Sequence, residues 1–98
     1  MAKKPDGVIV AVRYAPDGRI EIARVFEKRG ATYSDRVHID RDTLIERLKN
    51  KKRYVVGERT PFLASTFQTG AEVRYLARDV IATRPDAKQD LLEGVPVF

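Results

Sequence analysis

The sequence contains no cysteine and only one histidine, His38, among its 98 residues. The lack of cysteine excludes disulfide bonds, thiolate zinc sites, iron–sulfur clusters and cysteine nucleophiles. It suits a reducing compartment, so we expect a cytoplasmic protein. A single histidine limits nucleophilic catalysis to one imidazole base.

Glycine-rich phosphate loops and long apolar runs are also missing. The segments "APDGRI" and "KRGAT" hold one glycine each, and neither the dinucleotide-binding pattern nor the P-loop pattern occurs. No apolar run reaches the roughly 20 residues of a membrane helix, and residues 1–7 lack the apolar stretch of a secretory signal. We therefore expect no nucleotide-dependent chemistry, no cofactor and no membrane association.

Length and composition predict a single globular domain. The chain is 43% hydrophobic and 34% charged, which is typical of a folded protein rather than a disordered one. We place the domain at residues 8–84, after a flexible N-terminus at 1–7. Residues 85–98 form a C-terminal tail that is apolar enough to dock.

The predicted fold class is α+β: an antiparallel β-sheet with one central α-helix packed on a face. Residues at the two-residue spacing of a strand, Val8, Val10, Val12 and Tyr14, precede the turn sequence "APDG", and an apolar set over 20–26 follows it, which predicts an N-terminal β-hairpin. The apolar set changes face near Ala23, where we expect a bulge or burial on both faces. Three further strands are predicted over residues 32–39, 53–59 and 62–67.

The central helix is predicted over residues 41–51. Asp40 or Asp42 can accept hydrogen bonds from its first amides, and Asn50 can end it. Residues at helical spacing form one apolar stripe toward the sheet, namely Leu44, Ile45 and Leu48.

Residues 71–83 fit two structures. Their apolar residues fall on one helical face, and Thr69 and Glu72 have the spacing of a capping box. Their β-branched and aromatic residues instead favour two strands with a turn at Arg78 and Asp79. We favour the strand pair, because a sheet is already present for it to extend.

Catalytic and metal-binding patterns are weak. His38 and Ser34 would share one face of a strand about 13 Å apart, too far for direct contact, so we interpret His38 as a solvent-facing histidine. Asp35 falls on an apolar face and is interpreted as a structural acceptor. His38, Asp40 and Asp42 are close in sequence, but helix capping explains both aspartates better than a metal does. We expect neither a metal site nor an enzyme.

The segment from Arg47 to Arg53 holds five cations and no acid, and so accounts for the whole net charge of +5. One or two cations would be enough to complement the helix dipole. Tyr54 follows directly and offers a ring for stacking on a base. The predicted nucleic-acid-binding residues are Arg47, Lys49, Lys51, Lys52, Arg53 and Tyr54.

The apolar tail is the second predicted binding surface. Extended apolar segments add readily to sheet edges, so the tail can contact a protein partner or a second copy of the chain. It can equally dock on its own domain, and the sequence leaves both open. The tail residues concerned are Val95, Pro96, Val97 and Phe98.

We therefore predict a non-catalytic binding protein. Nucleic acid is slightly favoured over a protein partner, with neutralisation of the phosphate backbone and little readout of base sequence. Interaction with a protein partner, or homodimerisation through an edge strand and the tail, is the alternative.

Overall fold

The computed structural model describes residues 5–30, 32–33, 36–59, 67–76, 80–84, 86–92 and 95–98. Within them the chain forms one α-helix and eight β-strands. The order is β1 (Gly7–Tyr14), β2 (Ile20–Arg29), β3 (Thr32–Tyr33), β4 (Val37–Asp40), α1 (Arg41–Lys49), β5 (Tyr54–Arg59), β6 (Phe67–Glu72), β7 (Arg74–Leu76) and β8 (Val80–Ala82). The predicted α+β class is confirmed: a main sheet, a second small sheet and one helix packed against the main sheet.

The N-terminal hairpin is confirmed, with β1 and β2 paired antiparallel around a turn in which Gly18 has a φ of 87°. Two irregularities interrupt the pairing, since Val10 in β1 and Glu21 in β2 have no cross-strand partner in the register. The bulge in β2 thus lies two residues before the predicted position. Together the bulges turn four apolar side chains to the same face, namely Ile9, Val12, Ile20 and Ala23.

The main sheet is mixed, which corrects the prediction of an antiparallel one. β5 lies beside β1 in parallel, with Gly7 opposite Tyr54 and Ile9 opposite Val56. The helical connection returns the chain to the end of the sheet where β1 begins, and a parallel neighbour is the result. β6 pairs antiparallel with β5 at the edge of the sheet. The predicted strand over 62–67 falls almost wholly outside the described residues.

The opposite edge of the sheet is shared by two short strands rather than one. β4 pairs with the first half of β2, and β3 pairs with its end. The strand predicted over 32–39 is therefore divided, and Ser34 and Asp35 lie outside the described residues.

The helix begins and ends where its capping residues predict. The Asp40 carboxylate accepts the Thr43 N–H at 2.8 Å, and Asn50 is the C-cap. Two hydrogen bonds from Thr43 lower the pKa of Asp40: the bond from its hydroxyl has the larger effect, and the bond from its N–H has the smaller. The helix is two residues shorter than predicted, because the chain reverses at Lys51.

The strand pair within residues 71–83 is confirmed as β7 and β8, which form the small second sheet. Arg78 and Asp79, the predicted turn, lie outside the described residues. α1 contacts β7, so the pair extends the wall of the core beyond the main sheet.

The core lies between one face of the main sheet, α1 and the strand pair. Its buried members come from every one of these elements and include Ile9, Val12, Val25, Ile39, Leu44, Tyr54, Val56, Val73, Ile81 and Leu92. Ile45 and Leu48 pack against this cluster from the helix, as their spacing predicts.

A buried carboxylate ties three elements together. Asp90 is 6% exposed and accepts the Ile20 N–H at 2.8 Å and the Ile81 N–H at 2.9 Å. Its Oδ2 also accepts from Arg41 Nη1 at 2.6 Å. Asp90 therefore joins the start of β2, β8 and the start of α1. This role is not predicted from the sequence, because Asp90 stands in a polar stretch that is typical of a loop.

Candidate functional site

The basic segment after α1 is held by a specific backbone motif. The Lys51 N–H donates to the Leu48 carbonyl at 3.2 Å, and the Lys52 N–H donates to the Arg47 carbonyl at 3.1 Å. These two bonds are those of a Schellman motif, which normally places glycine at the left-handed position. Here that position is Lys51, with a φ of 62°. Lys51, Lys52 and Arg53, all exposed, are named the basic turn below.

The two helical cations of the predicted site are engaged within the protein. Arg47 Nε donates to Glu27 Oε2 at 3.3 Å, and this hydrogen bond and the charge of Glu27 raise the pKa of Arg47. Lys49 is exposed, and its Nζ lies 5.4 Å from the centre of the Tyr75 ring. Both side chains therefore have contacts within the protein that the sequence does not predict.

Tyr54 is not available for stacking on a base. It is 1% exposed, and its hydroxyl donates to Glu27 Oε2 at 2.7 Å. Burial, and then the hydrogen bond and charge of Glu27, raise the pKa of Tyr54 well above its ordinary value. The ring covers Gly7, where an added Cβ would lie 2.4 Å from a ring carbon. We therefore remove Tyr54 from the predicted surface and assign it to the core.

A different tyrosine lies near the basic turn. The segment before β1 lies between β2 and the residue before β5. The Asp6 N–H donates to the Arg53 carbonyl, and the Lys28 N–H donates to the Asp6 carbonyl. Tyr33 pairs with Lys28 in the register, and its hydroxyl donates to the Pro5 carbonyl at 2.9 Å. Burial and Asp6 raise the pKa of Tyr33, while Arg53 opposes the shift. Lys28, Tyr33 and the basic turn thus share one end of the sheet.

The tail docks on its own domain in this structure. The Val12 N–H donates to the Pro96 carbonyl at 2.9 Å, and the Phe98 N–H donates to the Val12 carbonyl at 3.0 Å. Val97 is the parallel partner of Val12, yet its side chain is 66% exposed. Val95 packs against the core. Of the two arrangements left open by the sequence, the structure has the self-docked one.

The Phe98 ring is surrounded by basic side chains. It stacks on the His38 imidazole with centroids 5.3 Å apart, and the guanidinium carbons of Arg13 and Arg24 lie 4.9 and 4.4 Å from its centre. Arg24 Nε donates to His38 Nε2 at 3.1 Å. His38 is exposed on a strand, as predicted. Its contact with Phe98, 60 residues later in the chain, could not be predicted from the local sequence pattern.

A shallow cleft of about 280 Å³ lies at the other end of the sheet, near the hairpin turn. Three of its polar side chains serve the fold: Asp17 accepts the Arg19 N–H, Asp40 caps α1, and Arg41 bonds to Asp90. Among the described residues, no group of three metal-ligating side chains is found.

Comparisons with protein-family models, with curated proteins and with solved structures find no match for the chain. In the described part of the chain, no helix has the length and apolar character needed to cross a membrane.

Proposed function

We propose that this protein is a non-catalytic binding domain that holds the sugar–phosphate backbone of nucleic acid at the basic turn, with Lys28 and Tyr33 alongside. The cations of the turn are exposed and adjacent in sequence. Their backbone is fixed by the helix C-cap on one side and by the bond from the Arg53 N–H to Asp6 Oδ2, at 2.8 Å, on the other. A fixed backbone lowers the entropy lost when the side chains bind an anion.

The left-handed conformation of Lys51 is the observation that carries the proposal. A residue with a Cβ costs about 1–2 kcal/mol in this region relative to glycine. Glycine is the residue that most helices use at this position of the motif. Backbone strain of this kind concentrates at functional positions. A lysine at φ 62° therefore supplies a charge at a place where stability alone would favour glycine.

Two acids close to the basic turn are used inside the fold. Asp6 accepts the Arg53 N–H, and Glu27 accepts from Tyr54 and Arg47. Among the described residues, no acid pairs with the ammonium groups of Lys51 or Lys52. Both are therefore available to an external anion.

The mechanism is neutralisation of phosphates rather than readout of bases. Tyr33, Lys28, Asp6 and Arg53 lie on successive strands or their extensions, so they span about 14 Å at the usual strand spacing. This is the length of a few nucleotides. Tyr33 is partly buried and takes the aromatic role that the sequence assigned to Tyr54.

Fluorescence anisotropy of a labelled single-stranded oligonucleotide tests the proposal. Four phosphate contacts, from Lys28 and the basic turn, predict an affinity that falls about 50-fold between about 50 and about 200 mM salt. The triple variant Lys51→Glu, Lys52→Glu, Arg53→Glu should lose nearly all binding. A matched control with the same change in net charge reverses three exposed cations elsewhere, Arg19, Arg74 and Lys88, and should keep most of it.

Lys51→Gly separates binding from folding. Relief of the left-handed strain outweighs the added flexibility of the unfolded chain, so stability should rise by about 0.5 kcal/mol. Binding should nevertheless weaken, with the slope of log affinity against log salt falling by about 0.7. Equal losses in the triple variant and its control would show that only net charge matters, and the proposed site would then be wrong.

A further inference from the structure

The edge of β1 has main-chain hydrogen-bonding groups that the neighbouring strand β5 does not pair with. β5 pairs with β1 only from Gly7 to Ile9. Val12 lies beyond that point and is fully buried. Its N–H and C=O point toward the edge of β1 that β5 leaves unpaired, and they are bonded only by the tail. Buried backbone groups need partners, whichever chain supplies them.

The side chains beside this edge form a basic pocket around one aromatic ring. Arg13, Arg24 and His38 surround Phe98, and Arg13 Nε also donates to the Phe98 backbone oxygen at 3.3 Å. Within the described part of the chain, no aspartate or glutamate side chain bonds to Arg13 or Arg24. The pocket thus contacts the face of a ring but lacks the acidic side chain that arginines usually pair with.

We propose that the β1 edge at Val12, with Arg13, Arg24 and His38, is a peptide-binding groove that the chain's own tail occupies here. Its ligand is an extended segment of a partner protein with an aromatic residue at the position of Phe98 and acidic residues nearby. Main-chain bonds to Val12 accept any extended backbone, while the basic pocket selects the aromatic and the acids. The groove is separate from the basic turn and does not depend on the proposed nucleic-acid binding.

The docked tail is suited to exchange. Two main-chain hydrogen bonds, one hydrogen bond from Arg13 and the contacts of one ring hold its last three residues, and Val97 is 66% exposed. While the tail occupies the groove, only the fraction of molecules with the tail released can bind a partner, so the apparent affinity is reduced by that fraction. Weakening the tail should therefore strengthen binding of a peptide added in trans.

The test uses a fluorescein-labelled peptide, Asp-Glu-Gly-Val-Pro-Val-Phe, which is the sequence of residues 93–98 with one aspartate added before it. Anisotropy titrations compare the wild type with full-length Phe98→Ala and Phe98→Leu, each checked for native circular dichroism. We expect the peptide to bind the two variants at least about tenfold more tightly than the wild type. In the Phe98→Ala background, Arg13→Ala and Arg24→Ala should each reduce binding several-fold.

Three results would overturn the proposal. One is no binding to either Phe98 variant at millimolar peptide. Another is equal binding of a control peptide in which the terminal phenylalanine is replaced by alanine. The third is a wild-type dimer in light scattering that Phe98→Ala dissociates, since the tail would then serve a second copy of the chain instead of a separate partner.

Discussion

Tyr54 and Phe98 are two aromatic residues that lie close to arginines, but they differ in burial and in the acidic side chains around them. Tyr54 is 1% exposed, and its hydroxyl and Arg47 both bond to the carboxylate of Glu27. Phe98 lies at the surface between Arg13 and Arg24, and no aspartate or glutamate side chain is among the described contacts of either arginine. The first cluster contains an acidic side chain, and the second has none among the described residues.

The difference shows which basic residues are available to a ligand. An arginine paired with an internal carboxylate has its hydrogen bonds and charge satisfied, and removing its partner costs stability. An arginine over a ring retains donors that can bond elsewhere. By this criterion Arg47 belongs to the fold, whereas Lys51, Lys52 and the arginines around Phe98 are candidates for binding.

Of these substitutions, Tyr54→Ala should lower the free energy of unfolding the most. It removes a buried ring and leaves Glu27 without one of its donors, so we expect a loss of about 3–5 kcal/mol in the free energy of unfolding. Urea denaturation measures this loss. A loss below about 1 kcal/mol would show that Tyr54 is not part of the core.

Gly7→Ala should come next, because the new methyl group would meet the Tyr54 ring. Overpacking of this kind costs about 1–3 kcal/mol. A double-mutant cycle with Tyr54→Leu provides the control, since a smaller side chain leaves room for the methyl group and should recover most of the loss. Additive effects of the two substitutions would contradict the close approach.

Tyr54→Phe isolates the contribution of the Tyr54 hydroxyl to stability, and this contribution should depend on pH. Burial and Glu27 raise the pKa of Tyr54 in the folded state above the unfolded value of about 10. The stabilisation from the neutral hydroxyl is therefore fully present below about pH 10, and it is lost as the pH rises toward the folded-state pKa.

We expect the wild type to exceed Tyr54→Phe by about 1–2 kcal/mol at neutral pH. The difference should shrink above about pH 10, as measured by urea denaturation at each pH. Tyr33, whose pKa is also raised, is the same in both proteins and cancels. A difference that stays constant up to about pH 11 would contradict the assigned hydrogen bond.

Phe98→Ala should have the smallest effect, a loss of about 1 kcal/mol, because the ring is partly exposed and its cation contacts are those of a surface site. Native-state hydrogen exchange should show faster exchange at Val12, whose N–H the tail protects, with little change at Leu44. A loss as large as that of Tyr54→Ala would show that the tail is part of the core.

Features set by neighbouring residues could be predicted from the sequence. The hairpin turn, the Asp40 cap and the apolar stripe of the helix all depend on local spacing, and all are confirmed. The β-branched residues within 71–83 suit strands, and the strand pair is confirmed, although it forms its own small sheet and does not extend the main one as expected. Local chemistry was sufficient for these elements.

Features set by distant pairing could not be predicted. The parallel position of β5 places Tyr54 over Gly7, 47 residues earlier, and no local pattern shows which face a strand residue will take. Asp90 receives its donors from Ile20, Ile81 and Arg41, so its sequence neighbours gave no signal. Docking of the tail was left open for the same reason.

The most direct test of the account is an NMR titration of the labelled protein with a single-stranded oligonucleotide at low salt, followed through the backbone amides. We expect the shifts to concentrate at the basic turn, Lys28 and Tyr33, with little change at Val12, His38 or Phe98. Shifts centred on His38 and Phe98, or no shifts at all, would contradict the assignment of nucleic-acid binding to the basic turn.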